Sequence, residues 1–317
     1  MKNKYVFTAA FLAVILFVGT ALTSWYVRAD EDQNNADSLL VVTSFYPMYV
    51  AAENVIGDTE GVTLKNLSEP QTGCLHDYQL TAADMKLLSK ADVFIVNGGG
   101  IENFLSDVAE SYPNLKIIQA CDGIELMESA EGTHDSHADE EPHTEHDHGD
   151  NAHVWMNLED YQIQIQNICE GLSEADNTHA EQYAKNAHVY QEKVQELQQE
   201  AQALKKQIEG QPVVIFHEAY EYIVQQYGLE LAGEMNLDEE RQVSAGEVAD
   251  ILNAIEEHQV SVVLAEELYG TDMGEMVAKQ SGVQVVYLDT LTRGDYSADS
   301  YLEGMKNNIE QLKEAFQ

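Results

Sequence analysis

From residue 178 to residue 209 the chain contains neither glycine nor proline. Within that stretch Tyr183, Ala187, Tyr190, Val194, Leu197, Ala201, Leu204 and Ile208 recur at steps of 4, 3, 4, 3, 4, 3 and 4. That spacing predicts one apolar face of a single long helix, roughly 45 to 50 Å from end to end at about 1.5 Å per residue. Gly210 and Pro212 stop it. A coiled-coil seam would also use such a stripe, but the repeat is short and strand signals bracket it, which favours a rigid spine between two lobes.

Both flanks of the spine alternate strand-like and helix-like runs. Before it come LLVVTS (39–44), GVTLKNL (61–67), DVFIVN (92–97) and LKIIQ (115–119). A helical run with a stop at Gly57 and another with Thr81 three residues before Asp84, a capping pattern, separate the first three. After it come PVVIF (212–216), LELAGEM (229–235), SVVLA (261–265) and VQVVYL (283–288), and an amphipathic helix closes the chain. Strands alternating with helices argue for parallel sheets covered on both faces. The expected fold is α/β: two βα lobes, each with a mainly parallel four-stranded sheet, joined by one long rigid helix. A ligand site in such a chain belongs in the interlobe cleft, at the carboxyl ends of the strands. The expected organisation is an N-terminal lobe over 38–177, the linking helix over 178–210 and a C-terminal lobe over 211–317.

The chain has 317 residues and a formal net charge of −40, with an apolar content of 44% that suits a globular protein. That sign disfavours nucleic-acid phosphates and anionic membrane surfaces. Lys2 and Lys4 precede an apolar stretch from residue 5 to residue 27, followed by a polar linker over 30–37. This reads as an export signal over 1–29, either cleaved or kept as an anchor. No cysteine near the end of the apolar segment supports a lipid anchor. The three cysteines, Cys74, Cys121 and Cys169, are an odd number. A Cys74–Cys121 bridge and three separate thiols both remain open, with the thiols favoured.

Residues 131–150 carry five histidines (His134, His137, His143, His146 and His148) among eight acidic residues. The run has almost nothing to bury and no helix or strand period, and its composition reads as a loose, fast-exchanging metal-binding loop. Four further residues fall at strand ends or beside turns: His76, His153, His217 and Asp289. Three imidazoles and one carboxylate suit tetrahedral Zn²⁺. Asp77, Glu218 and Glu266 stand where carboxylates could steady such a site, and Glu266 competes with Asp289 as the fourth ligand. Alone, each histidine reads more readily as a hydrogen-bonded turn or core residue and Asp289 as a turn cap; their shared position makes the case. His179, His188 and His258 read as surface residues.

Five stretches, TSFYPMYVAAENVIGD, TGCLHDYQLTAADMKLLSKADVFIVNGGGIE, NAHVWMN, PVVIFHEAYEYIVQQYGL and VVYLDTL, resemble in order the zinc-binding components of bacterial ABC metal-uptake transporters, a family that also holds manganese and iron binders. The resemblance spans nearly all of 38–317. It implies two βα lobes on a rigid helix, with metal ligands at His76, His153, His217 and Asp289. It implies zinc rather than manganese from the His-rich loop and from histidine, not carboxylate, at position 217. Asn151-Ala152 replaces the family's usual Asp-Pro, LDTLTRGDY replaces the usual Pro-Gly after the last ligand, and no lipobox is present.

The sequence therefore predicts an exported, monomeric protein that captures Zn²⁺ and delivers it to an ABC permease in the membrane. A manganese-binding component of the same family and a surface adhesin are the alternatives within reach of the resemblance. A zinc hydrolase is disfavoured, because a fourth protein ligand closes the position that catalytic zinc keeps for water and no HExxH motif is present.

Overall fold

The computed structural model describes residues 38–68, 78–128, 150–237 and 243–317. The export segment, His76, Asp77, Cys74 and the five loop histidines lie outside the described residues.

The first half is β1 (Leu39–Thr43), α1 (Tyr46–Ile56), β2 (Val62–Asn66), α2 (Ala82–Leu88), β3 (Val93–Val96), α3 (Leu105–Ser111) and β4 (Lys116–Gln119). Pro47 opens α1, where its missing N–H costs nothing. Gly57 ends it at φ +54, and a Cβ there would press to 2.8 Å from the Asn186 side chain. The capping box at Thr81 and Asp84 forms as the sequence predicts. The four strands order as β2-β1-β3-β4.

Helix α4 (Leu158–Ala175) leads into α5 (Ala180–Ile208), the spine, 29 residues long. Its buried residues are the eight that the 4-3 spacing picks out, Tyr183 to Ile208. They pack against α1, α4 and α9 (Ser300–Ala315), so the stripe is spent inside this chain and not on a coiled-coil partner. The second half, β5 (Pro212–Ile215), α6 (Tyr220–Tyr227), β6 (Glu230–Glu234), α7 (Ala245–Glu257), β7 (Val262–Ala265), α8 (Glu267–Ser281), β8 (Gln284–Tyr287) and α9, repeats the first topology as β6-β5-β7-β8. The pairings β1·β3, β3·β4, β5·β6, β5·β7 and β7·β8 are all parallel. The inner strands are apolar on both faces, as helices on each side require: Val93–Val96 and Val262–Ala265 are buried throughout.

In each sheet the strand order reverses between two central strands, β1 and β3 in one, β5 and β7 in the other. Ligands of open parallel sheets gather beyond the carboxyl ends at such reversals. Asn97 follows β3, His217 lies just beyond β5 and Glu266 follows β7. Among the described residues no helix is long and apolar enough to cross a membrane. Cys121 and Cys169 are free and buried.

Candidate metal centre

His153 sits on a short turn that the core holds from both sides. Val154, Trp155 and Met156, which follow it in a single 3-10 turn, are fully buried. Asn157 then caps α4, its side chain accepting from the Glu159 and Asp160 amides. On the other side, Asn97 at the reversal point of the first sheet donates to the Ala152 carbonyl at 2.9 Å. The Trp155 indole N–H donates to the Thr290 carbonyl at 2.9 Å, and Tyr301 donates from its hydroxyl to the Trp155 carbonyl at 2.7 Å. The sequence NAHVWMN is thus a histidine mounted on a core plug.

The rings of His153 and His217 meet edge to face with centroids 5.2 Å apart. His153 is buried, at 3% exposure, and His217 is half-buried. Asn151 settles the His153 tautomer. Its amide nitrogen donates to the Glu218 carbonyl at 2.9 Å and to Glu221 Oε2 at 2.7 Å. Its Oδ1 therefore faces His153, accepting from the backbone N–H at 3.1 Å and from ring Nδ1 at 3.0 Å. The proton belongs on Nδ1, and Nε2 keeps the lone pair that a metal needs. The Glu218 carboxylate, 3.7 Å from the same Nδ1, favours that proton electrostatically.

His217 is set differently. Its Nδ1 accepts the Ala219 amide N–H at 3.0 Å. A neutral ring accepting at Nδ1 carries its proton on Nε2, so whichever nitrogen goes to a metal, the Ala219 bond must give way.

Asp289 follows β8. Its backbone is clamped by Asn308, which accepts from the Asp289 N–H and donates to the Asp289 carbonyl, both at 2.8 Å. Oδ1 accepts from the Leu291 amide at 2.7 Å. Asp289 is exposed by surface area, yet desolvation by the surrounding protein pushes its carboxyl above the usual range, with the Leu291 amide and Arg293 pulling the other way. One open edge on an otherwise protein-lined group reconciles the two. The Tyr220 hydroxyl ties this strand end to that of β7, lying 2.7 Å from the Leu288 carbonyl and 3.2 Å from the Ala265 carbonyl, while its ring lies 6.0 Å from that of His217.

Glu266 is buried at the end of β7, and its Oε1 already accepts from Arg293 at 2.7 Å and Thr290 at 3.2 Å. A carboxylate so engaged costs more to redirect to a metal than Asp289 does. The structure brings together His153, His217 and Glu218; His76 and Asp77 lie outside the described residues. Among the described residues no group of three or more histidine, cysteine or acidic side chains stands ready-made for a metal. His188 and His258 are exposed, and His179 is partly so, with its Nδ1 2.6 Å from Asp176.

Two carboxylates behind the histidines escaped the sequence reading. Glu221 and Glu234 hydrogen-bond to each other, and burial pushes both upward, Glu234 to about 7 with a further contribution from Glu221. The available signal was Glu221 itself, an acid between the buried Tyr220 and Tyr222. A carboxyl raised in the folded state contributes stability that is complete below its unfolded value and is lost as pH rises through the folded one. The Glu234 window therefore runs from 4.5 to about 7. Glu234→Gln is expected to flatten the decline of metal-free stability across that window, measured as urea midpoints at about pH 5 and about pH 8. An undiminished slope would refute the assignment.

Two parallel sheets on one long helix, with a buried imidazole on a turn anchored beside the first sheet and an imidazole and carboxylates at strand ends of the second, define a two-lobed solute-binding protein built for a small ligand. The chain belongs to the family described as zinc-uptake complex component A, periplasmic, whose model matches residues 41–315. It is 28% identical over 288 residues to the high-affinity zinc uptake system protein ZnuA of Bacillus subtilis, covering 89% of each chain. It is 26% identical to the zinc-binding protein AdcA of Streptococcus pyogenes over 99% of its own length, and spans 61% of that longer protein. Its fold matches that of FpvC from Pseudomonas aeruginosa, solved in complex with Mn²⁺, at a TM-score of 0.74 and 24% identity, over 88% of this chain and 98% of that one.

Proposed function

We propose that the chain captures Zn²⁺ outside the cytoplasmic membrane and hands it to the permease of an ABC importer. His76, His153, His217 and Asp289 are the ligands, with Zn²⁺ as cargo. The observation that carries this reading is the His153–His217 pair, 5.2 Å apart, with His153 held by its neighbours in the tautomer a metal needs. Zinc is favoured over manganese by imidazole-rich ligation and by the zinc named in the relative at 28% identity, while relatives at 26% are named for zinc and for manganese. Glu266 serves beside the site, bound to Arg293, and Asp289 is the fourth ligand. A site closed by four protein ligands leaves no place for a reacting water, so the role is binding and not hydrolysis. The acidic loop at 131–150 supplies weaker, accessory sites, and the chain works as an exported monomer.

Calorimetric titration with Zn²⁺ and with Mn²⁺, on the protein and on a version lacking residues 131–150, tests the reading. One tight zinc site should survive the deletion, weaker sites should vanish, and manganese should bind poorly. Zinc needs neutral imidazoles, so affinity should fall as pH drops through about 6.5. Loss of all tight binding on deletion would place the site in the loop, and a preference for manganese would overturn the metal.

A further inference from the structure

We infer that Glu221 is a positioning residue for metal capture: through the side-chain amide of Asn151 it fixes which nitrogen of His153 is offered to the metal. The inference rests on the reading of His153 as a zinc ligand.

A side-chain amide has a donor end and an acceptor end, and nothing intrinsic says which faces His153. Here the donor end meets two acceptors, Glu221 Oε2 and the Glu218 carbonyl, at 2.7 and 2.9 Å. Turning the amide over would set its oxygen against both of them and its NH₂ group against the His153 backbone N–H. All three residues are buried: Asn151 at 1%, His153 at 3% and Glu221 at 4% exposure. No bulk water is at hand to repair so many mismatches, and each buried polar group left unmatched is costly. With the amide fixed, Oδ1 accepts from Nδ1–H and Nε2 is left with its lone pair. Deleting the Glu221 carboxylate removes the shorter of the two contacts that hold the amide.

The chain of contacts also joins the two halves. Asn151 stands on the segment that Asn97 anchors to the first sheet, whereas Glu221 lies on α6, after the first strand of the second. The Tyr222 hydroxyl holds the Asn151 carbonyl at 2.6 Å, so Glu221 and Tyr222 grip one residue by side chain and backbone. Orientation of His153 is thus set from the lobe that carries His217. Asn151 and Glu221 are also matched in charge. A carboxylate at 151 would face Glu221 at 2.7 Å, where two anions cannot both stay ionised.

The test is a set of variants read two ways: Zn²⁺ affinity by competition with a chelator, and the His153 tautomer in the metal-free protein by long-range ¹H–¹⁵N spectra of the imidazoles. Glu221→Ala should weaken zinc by about 10- to 100-fold, the range for losing a partner that orients a metal-binding histidine. It should also shift His153 from the Nδ1–H form toward a mixture. Glu221→Gln, which keeps an acceptor oxygen, should lose less. Asn151→Asp should weaken zinc, and adding Glu221→Gln should recover part of the loss, since the glutamine NH₂ can then donate to the aspartate. That recovery is a coupling which general loss of stability would not produce, and it keeps the inference falsifiable if Glu221→Ala fails to fold. His153→Ala is the control. If it retains tight zinc binding, the ligand assignment falls. If it abolishes binding while Glu221→Ala keeps both affinity and tautomer, or Asn151→Asp and the double variant bind alike, the inference about Glu221 falls and the ligand assignment stands.

Discussion

Replacing His153 or His217 with alanine should lower Zn²⁺ affinity by more than about 100-fold, because losing a ligand exceeds the roughly 10- to 100-fold cost of losing a group that only orients one. The fold should survive both changes. His153 is buried, with its Nδ1 on the Asn151 oxygen and 3.7 Å from the Glu218 carboxylate, and His217 is only half-buried. The metal-free cost is that of losing buried hydrogen bonds, about 1 to 3 kcal/mol. The signature is therefore a metal-free transition near that of the parent and the disappearance of the zinc-induced shift. That shift is worth about 4 kcal/mol when free zinc stands at about 1,000 times the dissociation constant. Thermal melts with and without Zn²⁺, beside the competition assay, check it. A His217→Ala protein that still melts higher with zinc would remove that residue from the ligand set.

The two histidines also differ in what capture requires. His153 is held ready, its Nδ1 proton already on Asn151. His217 must first release the Ala219 amide at the start of α6. On the proposed ligand set the metal therefore meets one fixed ligand and one that moves, and the movement is local to the second half. The stripe of α5 is packed along its whole length against helices of both halves, which makes a small turn at His217 cheaper than a hinge through the spine.

The fold was legible because its signals are local. The 4-3 spacing of α5 identified every residue that it buries, and the Thr81 capping box and the Gly57 stop fall where the sequence places them. Strand order was not legible, since β1 and β3 are both mainly apolar and almost wholly buried, and only packing decides which becomes the neighbour of β4. The site was half legible. Histidines at strand ends are visible in sequence. Whether Asp289 or Glu266 is open to a metal was not, because Arg293 decides it from 27 residues beyond Glu266 in an irregular segment. The partnership of Asn151 with Glu221 was equally hidden: 70 residues separate them, and each departs from a simple pattern only when seen beside the other.

Trp155→Ala should cost about 4 to 5 kcal/mol of stability, the upper part of the range for truncating a fully buried aromatic residue. The reason for the upper part is the indole N–H. It serves the Thr290 carbonyl, and Thr290 is itself buried at 2% exposure, so the truncation leaves an acceptor without its donor as well as a cavity. Trp155→Phe separates the two effects: most of the ring volume stays, and the loss should shrink to about 1 to 3 kcal/mol. Urea unfolding of the metal-free protein measures both. The loss also reaches the zinc site. Trp155 follows His153, a proposed ligand, by two residues, and through Thr290 it holds the turn that carries Asp289. One side chain thus helps to set the spacing between the proposed ligands His153 and Asp289. Trp155→Phe should accordingly weaken zinc by more than its stability loss alone would bring, because Asp289 is released while both histidines stay in place. Equal zinc affinity in Trp155→Phe and the parent would mean that the Asn308 clamp fixes Asp289 unaided.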